Sequence, residues 1–322
     1  MKAAVVTPNG VEVSEVPAPR PQPSEVLVRV RACGLNRADL AVAAGRAHGA
    51  VGGPGTIVGM EFAGEVAEVG SEVRSVKPGD RAMCSGAAGY AEYAVSDWGR
   101  VQTLPASMSF EEAATLPIAL QTMHNALITV GQLKKGESVL IQGASSGVGL
   151  MALQIAKFMG AGVVIGSSTN AARRAKLKDW GADLAIDTSS PGWADEVIAA
   201  TEGKGVHLIV DQVSASVANA NMKAARVLGR IVNVGRLGGA KGEFDYDLHA
   251  MKRLSYIGVT FRTRSIEEVR DINRRVREDL WAPLEAGKLA LPIDRTFPLE
   301  GAAEALAHMK ANAHFGKIVL TT

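Results

Sequence analysis

The run Ser138-Val139-Leu140-Ile141-Gln142 passes directly into Gly143-Ala144-Ser145-Ser146-Gly147-Val148-Gly149, and this stretch decides how the chain is read. The first five residues, mostly apolar, suit a short strand buried on both faces. From Val148 to about Met159 the apolar residues recur at helical spacing. Between the two, the backbone must turn sharply and aim a helix N-terminus, with its unpaired N–H groups and partial positive charge, at an anion. A dinucleotide pyrophosphate fits that end. The pattern is A-x-S-x-x-G rather than G-x-G-x-x-G. Ala144, Ser146 and Gly149 still keep small residues at the three restricted positions. Ala144, Ser145, Ser146, Gly147, Val148 and Gly149 are therefore the candidate cofactor cradle.

Outward from this turn the alternation continues. Gly162–Ser167, Asp183–Asp187, Val206–Asp211 and Gly229–Val234 read as short strands, with helices over 171–180, 193–200 and 218–227 and a last strand over 255–261. Continuous apolar strands alternating with helices predict a parallel sheet covered on both faces, a doubly wound Rossmann-type α/β domain. The first third has another rhythm. Glu25–Ala32 and Gly64–Val69 alternate apolar and charged residues, Lys77-Pro78-Gly79-Asp80 is a turn, and Arg81–Cys84 and Tyr90–Val95 are further strands. These predict a partly rolled antiparallel sheet. The C-terminal part carries a charged helix over 266–287, a helix near 300–310 and a closing strand over 317–321. The expected organisation is one domain from residues 1–120 plus 258–322, and an inserted dinucleotide-binding domain from 121–257.

Composition bounds the partners. The chain has 322 residues with 47% hydrophobic and 21% charged, a net charge of +2, and 35 glycines. So much apolar surface with so little net charge excludes a disordered chain, and so small a charge is no footprint for duplex DNA. Two cysteines, Cys33 and Cys84, are too few for a disulfide framework. They read as small buried apolar residues in a reducing compartment. No apolar run approaches the ~20 residues of a membrane span, and the start, Met1-Lys2-Ala3-Ala4-Val5-Val6, has no signal-peptide core. A cytoplasmic protein is expected.

The second strand ends Ser167-Ser168-Thr169-Asn170, with Arg173 and Arg174 just after. An acidic residue there would bind a ribose 2′-hydroxyl and repel a 2′-phosphate. Hydroxyls and a guanidinium suit the phosphate instead. Ser167, Ser168 and Arg173 therefore predict NADPH.

Five segments in order give a resemblance over nearly the whole chain: Asn36-Arg37-Ala38-Asp39-Leu40, Gly59-Met60-Glu61-Phe62-Ala63-Gly64, Ala144 to Gly149, Gly258 to Ser265, and His314-Phe315-Gly316-Lys317-Ile318-Val319-Leu320. The sequence resembles the zinc-free, zeta-crystallin-like quinone oxidoreductases of the medium-chain dehydrogenase/reductase superfamily. That resemblance implies a GroES-like catalytic domain with the Rossmann-type domain inserted, NADPH as cofactor, and often a homodimer. It places Asn36 beside the nicotinamide ribose and the substrate. It makes Thr122, Gly235, Val259, Thr260, Phe261, Phe315 and Lys317 cofactor contacts.

Relatives that hold a catalytic zinc have Cys and His where Asn36 and Met60 stand, and a cysteine-rich lobe where this chain has only Cys84. Amide and thioether are not usual zinc ligands, so no metal is expected. Without a Lewis acid for an alkoxide, the expected acceptor takes a hydride into a less basic anion: a quinone, or the β-carbon of an α,β-unsaturated carbonyl. Two positions depart from many relatives. A tyrosine near the substrate is replaced by Ala47, next to His48, a candidate proton donor. A tyrosine near the 2′-phosphate is replaced by Thr188. Two alternatives stay open: an enoyl reductase acting on a thioester or another specialised alkene, and an RNA-binding or structural crystallin-like protein. The second would rest on Arg270, Arg274, Arg275 and Arg277, which alternate with acids and have no aromatic row beside them.

Overall fold

The computed structural model describes residues 1–47, 49 and 51–322; His48 lies outside them. Two compact units emerge. The first comprises Met1–Ala119, Phe261–Trp281 and Ala290–Thr322; the second comprises Leu120–Thr260 and Ala282–Leu289. The return to the first unit falls at 260/261 rather than 257/258, because the Val259 N–H still donates to Asn233 O of the second unit at 3.0 Å. Ala282–Leu289, expected in the first domain, groups with the second unit.

In the first unit, strands β1 (Lys2–Thr7) and β2 (Gly10–Glu15) form an antiparallel hairpin. The larger sheet contains β3 (Glu25–Gly34), β4 (Glu61–Val69), β5 (Arg81–Ser85), β6 (Tyr93–Asp97) and β7 (Val101–Thr103). Alternation works as expected on β3, where Val26, Val28 and Val30 are buried and Arg29 is exposed. Two register shifts between β3 and β4 bend the sheet and make it roll.

The second unit is a six-stranded parallel sheet: β8 (Ser138–Ile141), β9 (Val163–Ser167), β10 (Leu184–Ile186), β11 (Val206–Asp211), β12 (Ala225–Asn233) and β13 (Ser255–Gly258), in the order β10-β9-β8-β11-β12-β13. The direction of winding reverses between β8 and β11, which is the topological switch point of a doubly wound fold. The helix Gly147–Phe158 follows β8 and buries Leu150, Met151, Leu153 and Ile155. The expected helix over 218–227 stops at Ala224, and β12 begins at Ala225, which pairs with Val206. The ladder then shifts register, and Leu228 takes a left-handed φ of 62°, so apolar Val227 belongs to a distorted strand rather than to a helix. The helix Ala171–Lys176 tightens into a 3₁₀ turn over Leu177–Trp180 and ends at Gly181, whose φ is 104°.

The chain then completes the first unit with β14 (Ile293–Pro298) and β15 (Lys317–Thr321). The finished sheet runs β14-β15-β3-β4-β5-β7, with β6 on β3. β14 and β15 pair in parallel. The helix Ala302–Lys310 between them supplies the crossover that a parallel pair requires. No helix among the described residues is long and apolar enough to cross a membrane.

Candidate functional site

Two constellations stand out, one in each unit. In the second unit the glycine turn sits between β8 and the helix Gly147–Phe158. Ser146 caps that helix: its hydroxyl accepts from the Gly149 N–H at 3.1 Å and reaches Gly143 O at 2.9 Å. Ala144 is fully buried and its N–H donates to Ser167 O at 2.8 Å. A Cβ on Gly149 would stand 2.6 Å from Gly143 O and 2.7 Å from the Ala144 Cα. Gly149 is therefore needed for the turn to close on itself, rather than to keep the ligand's path open. Gly147 is buried, and Ser145 and Val148 are half-buried along the same turn.

A buried polar chain holds the turn from below. The Asp211 carboxylate accepts from the N–H groups of Val213 and Ser214 and from Asn221 Nδ2. Asn221 Oδ1 in turn accepts from Gln142 Nε2 at 2.7 Å. Gln142 Oε1 accepts from the Ser167 hydroxyl at 2.6 Å, and Ser167 Oγ accepts from the Gly143 N–H at 3.0 Å. Burial pushes the Asp211 carboxyl above its ordinary range. Ser167, expected at a 2′-phosphate, instead has its hydroxyl spent on the loop and is 1% exposed. Sequence reasoning alone does not single out Gln142, Asp211, Gln212 or Asn221. The available signal is a polar residue ending an otherwise apolar strand, as Gln142 and Asp211 do.

At the end of β9, the Ser168 hydroxyl faces Ser145 Oγ at 3.0 Å. Arg174 is engaged with Ser168 O and with the Asp187 carboxylate, both within 2.9 Å. Arg173 is half-buried in the first turn of the following helix, its N–H donated to Asn170 Oδ1. Gly235 follows β12 and approaches so closely that a Cβ would lie 2.5 Å from Gln212 O. Thr122 is half-buried on the helix Pro117–His124, which continues as a π-helical turn through Asn125–Val130. Val259 and Thr260 belong to this unit as well. A helix N-terminus, a turn too tight for side chains and small flanking residues together fit a dinucleotide pyrophosphate.

The first unit gathers Asn36, Glu61 and Lys317. Asn36 follows β3, Glu61 opens β4 and Lys317 opens β15. The Lys317 ammonium donates to Leu35 O at 2.7 Å, to Asn36 Oδ1 at 3.1 Å and to Glu61 Oε1 at 2.5 Å. Asn36 Nδ2 donates to Glu61 Oε1 at 2.8 Å, and Glu61 Oε2 accepts from the Ile118 N–H. Glu61 is fully buried and Lys317 is 4% exposed. Gly34 makes the room: a Cβ there would lie 2.7 Å from Glu61 Oε1. Lys317, expected as a cofactor contact, directs its three N–H bonds at three protein acceptors instead. Phe315 and Phe261 also belong to this unit and are half-buried.

The Asn36 backbone is fixed separately. Its N–H donates to Asp39 Oδ2 at 2.7 Å, and the Tyr90 hydroxyl donates to the same oxygen at 2.7 Å. Burial pushes the Asp39 carboxyl up to about 7, opposed by these hydrogen bonds. Burial likewise raises the Cys33 and Cys84 thiols far above their usual range.

The residues at the metal-ligand positions do not fit zinc. Asn36 Oδ1 already faces an ammonium, which would repel a divalent cation, and Met60 offers a thioether. Among the described residues no three His, Cys, Asp or Glu side chains come together. Arg270 is half-buried over Trp98 and paired bidentately with Asp97, while Arg274 pairs with Asp271 and Glu278 and Arg275 with Asp271 on an exposed, neutralised helix face.

Comparison with known proteins agrees with this architecture. Residues 22–106 match the alcohol dehydrogenase GroES-like domain, and residues 147–277 match the zinc-binding dehydrogenase family. The quinone oxidoreductase of Homo sapiens is 31% identical over 95% of this chain and 92% of its own length; that of Rattus norvegicus is 30% identical over 95% and 92%. Among solved structures, an alcohol dehydrogenase superfamily protein from Novosphingobium aromaticivorans superposes with a TM-score of 0.90 at 29% identity, covering 100% of this chain and 99% of that one. A mycocerosic acid synthase-like polyketide synthase of Mycobacterium tuberculosis is 28% identical over 99% of this chain, which spans only 15% of that protein's length. The chain belongs to the medium-chain dehydrogenase/reductase superfamily, with quinone oxidoreductases among its relatives.

Proposed function

We propose that the protein is an oxidoreductase that passes a hydride from NADPH to a quinone or to the β-carbon of an α,β-unsaturated carbonyl, without zinc. One observation carries this reading. At the position of a metal ligand stands Asn36, its carboxamide held by a buried Lys317–Glu61 pair. Such a site offers orientation and hydrogen-bond donors but no Lewis acid, which suits acceptors whose anions are weakly basic.

When bound, the cofactor supplies the hydride from nicotinamide C4. The chain's own residues bind and orient it. The helix start at Gly147 meets the pyrophosphate, with Ser145 and Ser146 lining the turn, and Arg173 with Ser168 favours the 2′-phosphate and so NADPH over NADH. Thr122, Gly235, Val259, Thr260, Phe261 and Phe315 are assigned to the cofactor, and Asn36 to the reacting end. His48 is retained as candidate proton donor. The reading includes a small-molecule acceptor, a homodimer and a cytoplasmic setting that keeps the two buried cysteines as thiols.

A second reading, an enoyl reductase acting on a thioester, is favoured by the polyketide synthase relatives that match along nearly all of this chain. Steady-state NADPH oxidation against a panel of quinones, simple enones and enoyl thioesters separates the two. Turnover of quinones or enones is expected. Turnover of thioesters alone would favour the second reading, and NADPH binding with no acceptor reduced would refute both.

A further inference from the structure

We propose that Lys317 and Glu61 are positioning residues: they lock the Asn36 carboxamide in one orientation and leave one Nδ2–H bond for the oxygen of the acceptor. The inference rests on the functional reading above and deepens it by assigning how its site is set.

The chemistry of the partners fixes the amide. An ammonium only donates, so the Asn36 atom 3.1 Å from Lys317 Nζ must be the oxygen. A carboxylate only accepts, so the atom 2.8 Å from Glu61 Oε1 must be the nitrogen. A flipped amide would set oxygen against carboxylate and NH₂ against ammonium, two repulsive contacts in a buried site. The remaining Nδ2–H has Gly34 O as its nearest acceptor, at 3.5 Å, the far limit of a hydrogen bond. It is the one strong donor of this group left uncommitted. The ammonium on the oxygen side polarises the amide and strengthens that donor.

The pair has no slack of its own. Lys317 uses its three N–H bonds on Leu35, Asn36 and Glu61, and Glu61 uses both oxygens on Lys317, Asn36 and Ile118. Lys317 therefore acts through Asn36 and does not itself touch cofactor or acceptor.

A kinetic cycle tests this. Glu61→Gln/Lys317→Met removes both charges and leaves no buried ion unpaired. It should bind NADPH within about twofold of the parent, by fluorescence titration, while kcat falls about 100-fold, the low end of what losing one oriented donor costs. Asn36→Ala alone should cost a similar factor, and the triple variant should be no slower than the worse of the two. An NADPH Kd raised about tenfold, or multiplicative losses in the triple variant, would show that Lys317 contacts the ligand directly and would overturn the proposal.

A second measurement needs no variant to stay folded. In ¹⁵N-asparagine-labelled parent protein, the Asn36 Nδ2 proton bonded to the Glu61 carboxylate should resonate downfield of ordinary side-chain amides, and its geminal partner should not. That second proton should shift when NADPH and a slow acceptor analogue are added. Two protons at ordinary side-chain amide shifts in the free protein would sink the inference. A parent protein that reduces no acceptor would instead sink the functional reading, and the free-protein shifts would still decide this one.

Discussion

Lys317 and Glu61 form an ion pair in which neither side chain is more than 5% exposed; all three ammonium N–H bonds and both carboxylate oxygens are engaged. A buried pair gains from this completeness and suffers sharply when one partner goes.

Removing the lysine alone should therefore destabilise the protein. Lys317→Met leaves the Glu61 carboxylate buried beside Asn36 with no counter-charge, and a loss of about 3–5 kcal/mol is expected. Urea unfolding checks it. The Glu61→Gln/Lys317→Met variant should recover most of that loss, and a double variant as unstable as the single one would contradict the account.

Asp39 should make stability fall with rising pH. Its folded pKa of about 7 lies above the ordinary 3.8, so between these values the native state holds a proton that the unfolded chain releases. The contribution is fully present below about pH 4, declines as pH rises, and is gone above about pH 7. Asp39→Asn should flatten this part of the urea-midpoint profile, because an amide oxygen can still accept from Tyr90 and Asn36. An unchanged slope would place the titration elsewhere.

Gly149→Val should weaken the fold together with cofactor binding. The new side chain meets Gly143 O and Ala144 before it meets any ligand. A lowered Tm accompanying lost NADPH fluorescence enhancement is the expected pair of results. Lost binding at an unchanged Tm would mean that the side chain obstructs the ligand rather than the turn.

Arg173→Ala should raise the Kd for NADPH by about tenfold, the worth of one charge-assisted contact, and leave that for NADH nearly unchanged. Equal effects on both cofactors would remove Arg173 from the 2′-phosphate.

Prolonged chelation with EDTA should leave NADPH oxidation intact, since Asn36 faces an ammonium and no metal is proposed. Loss of activity restored by added zinc would reverse that assignment.

The sequence made the parallel sheet legible because β8, β9 and β11 are apolar runs and the glycine turn has few other uses. It was less informative where tertiary contacts override local pattern. Val227 looks helical by spacing yet lies in a distorted strand, and the parallel pairing of β14 with β15 follows from a crossover no local signal announces. The resemblance singled out Asn36 and Lys317, but their partner Glu61 was only one letter in a quoted motif. Two residues separated by most of the chain give no spacing from which a contact can be read. For the same reason the hydroxyl of Ser167 looks available in the sequence, although Gln142 and Gly143 occupy it in the fold.

Order of synthesis acquires meaning from the position of β15. The strand that pairs with β3 is made some 280 residues after it, so a ribosome releases the parallel sheet of the second unit long before the first unit can close its own. Vectorial folding should thus begin in the middle of the polypeptide. The ammonium that holds Asn36 follows the whole second unit out of the ribosome, so a nascent protein would acquire its reacting centre only after that unit has been made.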